Sequence, residues 1–126
     1  MKLTPVLYVE RIENSLPFWM DRLGFQKTVE VPDEKRLGFV ILVNGNVEVM
    51  LQTWESLKKD APGLLPSERA TGAALFLEVD DFDGIRERLK GASIVLPERT
   101  TFYGMREIGV REPGGHLIVF AAPSKG

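Results

Sequence analysis

One order of sequence patterns runs from residue 3 to residue 52 and then starts again at residue 73. "LTPVLYV" (3–9) is short, apolar and β-branched, which marks a buried strand. Asn14 or Ser15 can cap a helix with Pro17 in its first turn, where a missing N–H costs little. Leu16, Trp19, Met20 and Leu23 share one face of that helix, and Gly24 ends it. "FQKTVEV" (25–31) alternates like a half-buried strand. "RLGFVILV" and "VEVMLQT" flank Asn44-Gly45-Asn46, and Asn-Gly takes the positive φ angles of a tight hairpin turn. From residue 73 the series repeats. "AALFLEV" (73–79) is a strand. Asp80 or Asp81 caps a helix whose inward residues are Phe82, Ile85 and Leu89, and Gly91 ends it. "ASIVLP" is a strand, and "GMREIGVR" and "HLIVFAA" flank Glu112-Pro113-Gly114-Gly115 as a second hairpin. The first helix is the longer by roughly one turn.

A β-α-β-β-β order occurring twice in 126 residues predicts one α+β domain over 1–126. Its modules cover about 1–52 and 73–122, joined by a connecting segment, 53–72. Pro62, Gly63, Pro66 and Gly72 break any long helix in that segment, although "WESLKKD" can form one turn or two. A linker of this length is often functional or covers a pocket.

Several function classes are excluded or disfavoured. With no cysteine, disulfides, thiol nucleophiles and Cys-based zinc sites are impossible. A formal charge of −2 and no basic stripe give no footing for nucleic acid or an anionic membrane. No stretch reaches the ~20 apolar residues that span a bilayer, and the N-terminal apolar run is too short for a signal peptide. A cytoplasmic protein is expected. No Gly-rich phosphate loop, Ser-His-Asp order or metal-spaced histidine pair is present.

Two β-α-β-β-β modules, "SLPFWMDRLGF" and "REPGGHLIVF" resemble the vicinal oxygen chelate superfamily, which includes glyoxalase I, bleomycin-resistance proteins and extradiol dioxygenases. Ser15, Leu16, Phe18, Trp19, Leu23, Gly24 and Phe25 match the first motif of that group, with Trp in place of Tyr. Glu112-Pro113-Gly114-Gly115-His116 is a near match to the last, which usually reads Asp-Pro-(Asp or Gly)-Gly-Asn. The resemblance implies a cup-shaped mixed sheet with helices outside and a ligand cavity inside. It also implies, for the enzymes of the group, a divalent metal held by His, Glu or Gln. Those ligand positions fall here on Thr4 (or Pro5 with a one-residue slip), near Val49 with Glu48 and Met50 beside it, on Ala74 and on Val119. Ala and Val cannot coordinate, and a chain with one histidine cannot build a two-histidine site in one subunit. No metal and no other cofactor is expected.

Seven residues stand out as candidates. Glu48, Met50 and Gln52 share one face of their strand, opposite Val47, Val49 and Leu51. That face either lines the cup or meets water at a rim. Arg106 is a conceivable partner for a buried Glu48. Trp54 and Tyr103 sit at strand ends, where aromatic rings can stack on a flat ligand; Trp19 reads as core. His116 is either a hairpin residue or a general base, since imidazole titrates near pH ~6.5. The expected function is metal-free binding of an apolar or flat small molecule in the cup, by a homodimer. The alternative is an enzyme of lyase, isomerase or dioxygenase type, with a degenerate metal site or with Glu48 or His116 as base. A third reading is a partner protein whose cup is filled by its own side chains.

Overall fold

In the computed structural model, residues 1–67, 69 and 72–124 are described; the expected connecting segment therefore lies outside the described residues at 68, 70 and 71. The chain divides into two compact units, Met1–Ala70 and Thr71–Gly126. Each unit carries one four-stranded mixed sheet.

In the first unit the strands are β1 (Val6–Val9), β2 (Gln26–Asp33), β3 (Arg36–Asn44) and β4 (Val47–Thr53), in the spatial order β1-β4-β3-β2. β1 runs parallel to β4, and the other neighbours are antiparallel. Helix α1 (Ile12–Leu16) passes directly into a π-helical stretch, Pro17–Arg22. The helix therefore starts earlier than either expected cap. Asn14 and Ser15 lie inside it, and Ser15 is fully buried. Pro17 falls at the junction rather than in the first turn. Proline has no N–H to give the carbonyl four residues back, and the helix continues with the wider i→i−5 spacing. Gly24 ends the segment in the left-handed region, φ 74°.

Packing against the helical segment decides which face of the sheet is covered. Val40 and Leu42 on β3 and Val49 and Leu51 on β4 are buried with Ile12, Phe18 and Trp19 of the helical segment. Trp19 is completely buried and meets Phe18 and Phe25 edge-on, at 5.4 and 5.1 Å between ring centroids. Glu13 ties the helix to the sheet by accepting the Leu37 N–H at 2.8 Å. Burial pushes its carboxyl up, but the Leu37 and own backbone amides, with Arg11 and Arg36, outweigh that and hold it below its ordinary value. The β3–β4 turn is shifted by one residue from the expected Asn-Gly corner. Its central pair is Gly45-Asn46, with a positive φ (60°) at Gly45 alone, as a II′ turn requires. "WESLKKD" forms α2 (Trp54–Asp60), capped by Thr53 Oγ1 accepting the Ser56 N–H. Leu57 buries α2 against the first unit.

The second unit repeats the plan. β5 (Ala74–Glu78), β6 (Ser93–Thr100), β7 (Met105–Arg111) and β8 (Leu117–Pro123) lie in the order β5-β8-β7-β6, again with the first and last strands parallel. Helix α3 (Phe82–Arg88) is capped by Asp81, which accepts the Gly84 N–H at 3.0 Å. It packs Phe82 with Leu89, Ile108, Val110, Ile118 and Phe120. The first helical segment, Ile12 to Arg22, exceeds α3 by about the expected turn.

Candidate functional site

The uncovered face of the first sheet gathers side chains from all four strands. Register places Val29, Ile41, Met50 and Val6 in one row across the sheet, and Val31, Phe39, Gln52 and Tyr8 in the next. Val6, Val29 and Val31 remain 37%, 40% and 47% exposed. Glu48, Met50 and Gln52 therefore lie on the face that no helix of their unit covers. Gln52 donates to the Ser56 hydroxyl at 3.2 Å.

Glu48 has local partners on its own unit. Its Oε1 accepts the Thr4 hydroxyl at 3.0 Å and lies 3.1 Å from the Lys2 ammonium. The Lys2 contact first, then the Thr4 bond, holds the carboxyl below its ordinary value. Arg106, a conceivable partner from sequence, pairs with other carboxylates. It extends toward α3 in the second unit, with its guanidinium 4.4 Å from the Phe82 ring centroid. It pairs with Asp83 at 2.9 Å and Glu98 at 3.3 Å, in an open recess of about 200 Å³ whose lining also includes Asp80 and Asp81. Strand alternation explains this. Arg106 is opposite Ala122 on the helix-bearing side, and Glu107, one residue on, takes the other side.

The remaining candidates separate by place. His116 closes the β7–β8 hairpin. Its N–H donates to Glu112 Oε1 at 3.2 Å, and its carbonyl accepts the Glu112 N–H at 2.8 Å. Tyr103 is 60% exposed and meets Phe102 edge-on on the β6–β7 turn. Trp54 opens α2 and has the richest surroundings. The Tyr8 ring leans on it at 5.3 Å, and the Arg69 guanidinium lies 4.9 Å from its ring centroid while pairing with Glu10. Tyr8, Glu10 and Arg69 were not legible as site residues, because Glu10 and Arg69 are 59 positions apart and carry no motif. Glu107 was missed as well. It is buried on the side of the second sheet opposite α3, where Arg99 Nε and a terminal guanidinium nitrogen both reach its Oε1 at 3.0 Å. Only the β6–β7 register brings that pair together.

The divalent metal that the superfamily resemblance implies does not fit these side chains. Of the implied ligand positions, Thr4 offers a hydroxyl already given to Glu48, and Ala74 and Val119 offer no lone pair. Glu48 is occupied by an ammonium. Among the described residues no group of three or more His, Asp or Glu side chains is placed to hold a metal. Likewise, no helix among them is long and apolar enough to cross a membrane.

None of the curated proteins matches the sequence. Solved structures share the fold. A glyoxalase-related enzyme from Fulvimarina pelagi superposes with a TM-score of 0.78 at 18% identity, over 97% of this chain and 87% of that one. TioX from Micromonospora sp. ML1 gives 0.75 at 20% identity, over 98% of each chain. A lactoylglutathione lyase from Agrobacterium tumefaciens gives 0.74 at 17% identity, over 97% and 92%. The model of the Glyoxalase/Bleomycin resistance protein/Dioxygenase superfamily matches residues 3–120, so the chain, with its paired β-α-β-β-β sheets, belongs to that superfamily.

Proposed function

We propose that this protein is a metal-free binder of an apolar, flat small molecule. The ligand lies against the uncovered face of the first sheet, with Trp54 at its edge. The observation that carries this reading is the pair of largely apolar rows across that face, interrupted by Gln52 and bordered by Glu48. Apolar side chains left open on a sheet lose free energy of about 25 cal/mol per Å² relative to burial, which a flat ligand recovers. A few polar groups at the border then orient it. Glu48 supplies an ionised acceptor. Its engagement by Lys2 and Thr4 disfavours Glu48 as the general base of an enzyme.

The working unit in this reading is a cytoplasmic homodimer. Each sheet ends on strands with an unpaired edge, β1 and β2 in the first and β5 and β6 in the second, and a second copy of the chain can cover such edges.

Trp54→Ala tests the reading. Binding of neutral planar aromatics, followed by calorimetry, should fall severalfold while the melting temperature moves by no more than a few degrees. If the variant instead unfolds, Trp54 is a core residue and the surface is wrongly assigned.

A further inference from the structure

Trp54 and Glu10 together hold a cation that belongs to the chain itself. The Arg69 guanidinium lies over the Trp54 ring at 4.9 Å, and its charge is met by the Glu10 carboxylate. Tyr8 leans on the same indole at 5.3 Å with the rings inclined by 40°. An aromatic face and a carboxylate suit an organic cation. The Trp54 ring presents the negative face of its quadrupole, Tyr8 backs that ring, and the carboxylate neutralises the charge without a close-fitting hard-ion shell. Both rings sit at the end of the apolar rows, since Tyr8 is opposite Gln52 in the β1–β4 register and Trp54 follows directly on β4.

We propose that this cage is a recognition site for the cationic end of the ligand, a quaternary ammonium or guanidinium group on a planar apolar body, and that Arg69 occupies it in the ligand's absence. The proposal rests on the reading of the first sheet as the binding surface and adds the ligand's charge class. Arg69 comes from beyond α2 and is half exposed, so it can leave without uncovering core. Its departure exposes an aromatic face and a carboxylate together, and an incoming cation replaces both of its contacts. An anionic ligand has the opposite relation to the cage. It would need Arg69 to stay, and it would meet Glu10.

Three probes with one phenyl ring separate these cases by calorimetry on the whole chain: benzyltrimethylammonium, benzyl alcohol and benzoate. Arg69→Ala should bind the ammonium probe on the order of tenfold tighter than the wild type does, because the resident competitor is gone. Adding Glu10→Gln to Arg69→Ala should remove most of that gain while leaving benzyl alcohol unchanged. Equal affinity for the ammonium and the alcohol in Arg69→Ala overturns the cation site and leaves the apolar surface standing. Benzoate binding that is lost on Arg69→Ala also overturns it, and makes Arg69 an anion receptor. Failure of all three probes to bind either protein sinks the site and the binding surface together. Melting curves of both variants should stay within a few degrees of the wild type, which ties any change in affinity to the cage rather than to folding.

Discussion

Glu48 is the residue at which sequence and structure meet most directly. The strand "VEVMLQT" shows two faces by alternation, but alternation says nothing about which one a helix covers. Packing of Val49 and Leu51 beneath α1 and Trp19 decides it. The partners of Glu48 are likewise invisible in the strand itself, because Lys2 and Thr4 lie more than forty positions away. Their effect is measurable. The folded carboxyl sits below its ordinary value of 4.5, so the stability it contributes is complete above pH 4.5 and disappears as pH falls through the folded value. Glu48→Gln should therefore lower the melting temperature by a constant small amount from pH 5 to 7, and the difference should shrink toward pH 3. A difference that does not change over that range would show that the Lys2 and Thr4 contacts do not form in solution.

Elements show a sharper division between what local chemistry fixes and what it leaves open. Both hairpins, α2 and the Asp81 cap follow from turn residues and caps that act within a few positions. The start of α1 does not, since two good cap residues at 14 and 15 are overridden by the burial of Ile12 and Ser15 against the sheet. β2 and β6 run on to Asp33 and Thr100, past the expected strand ends at 31 and 97, because pairing with β3 and β7 extends them. The N-terminus of α3 offers a test with a change of sign. A Cβ at Gly84 would lie 2.2 Å from Asp81 Oδ2, so Gly84→Ala displaces the capping carboxylate. Loss of such a cap costs about 1 kcal/mol, whereas Gly→Ala inside a helix ordinarily gains up to about the same. Urea unfolding should show Gly84→Ala neutral to destabilising in the wild type and stabilising in Asp81→Ala. An equal effect in both backgrounds would mean that the cap is not formed.

At the scale of the whole molecule, the unpaired sheet edges lead to the dimer and the donor set to the metal. Sedimentation equilibrium at micromolar concentration should give about twice the 14.1 kDa chain mass, and a persistent monomer would remove the homodimer from the functional reading. Protein purified without a histidine tag should hold well under one equivalent of any transition metal, and chelator should leave its melting temperature unchanged, since a bound native-state metal would raise it. Stoichiometric metal lost on Glu48→Ala or His116→Ala would restore the metalloenzyme alternative.

The sequence by itself determined the doubled β-α-β-β-β order, the place of its two glycine-bearing hairpins to within a residue, and the Asp81 cap. These are set by periodicity and by backbone chemistry acting over a few residues, and a repeated pattern admits few topologies. Composition also ruled out thiol chemistry, and a single histidine ruled out a two-histidine site within one chain. Only the tertiary structure decided which sheet face stays open, that Arg106 serves α3 and Glu98 rather than Glu48, and that Tyr8, Glu10, Trp54 and Arg69 form one cluster. The physical reason is common to all three. Each depends on side chains brought together across long separations by strand register and helix packing, and no short-range pattern in the chain encodes such a meeting.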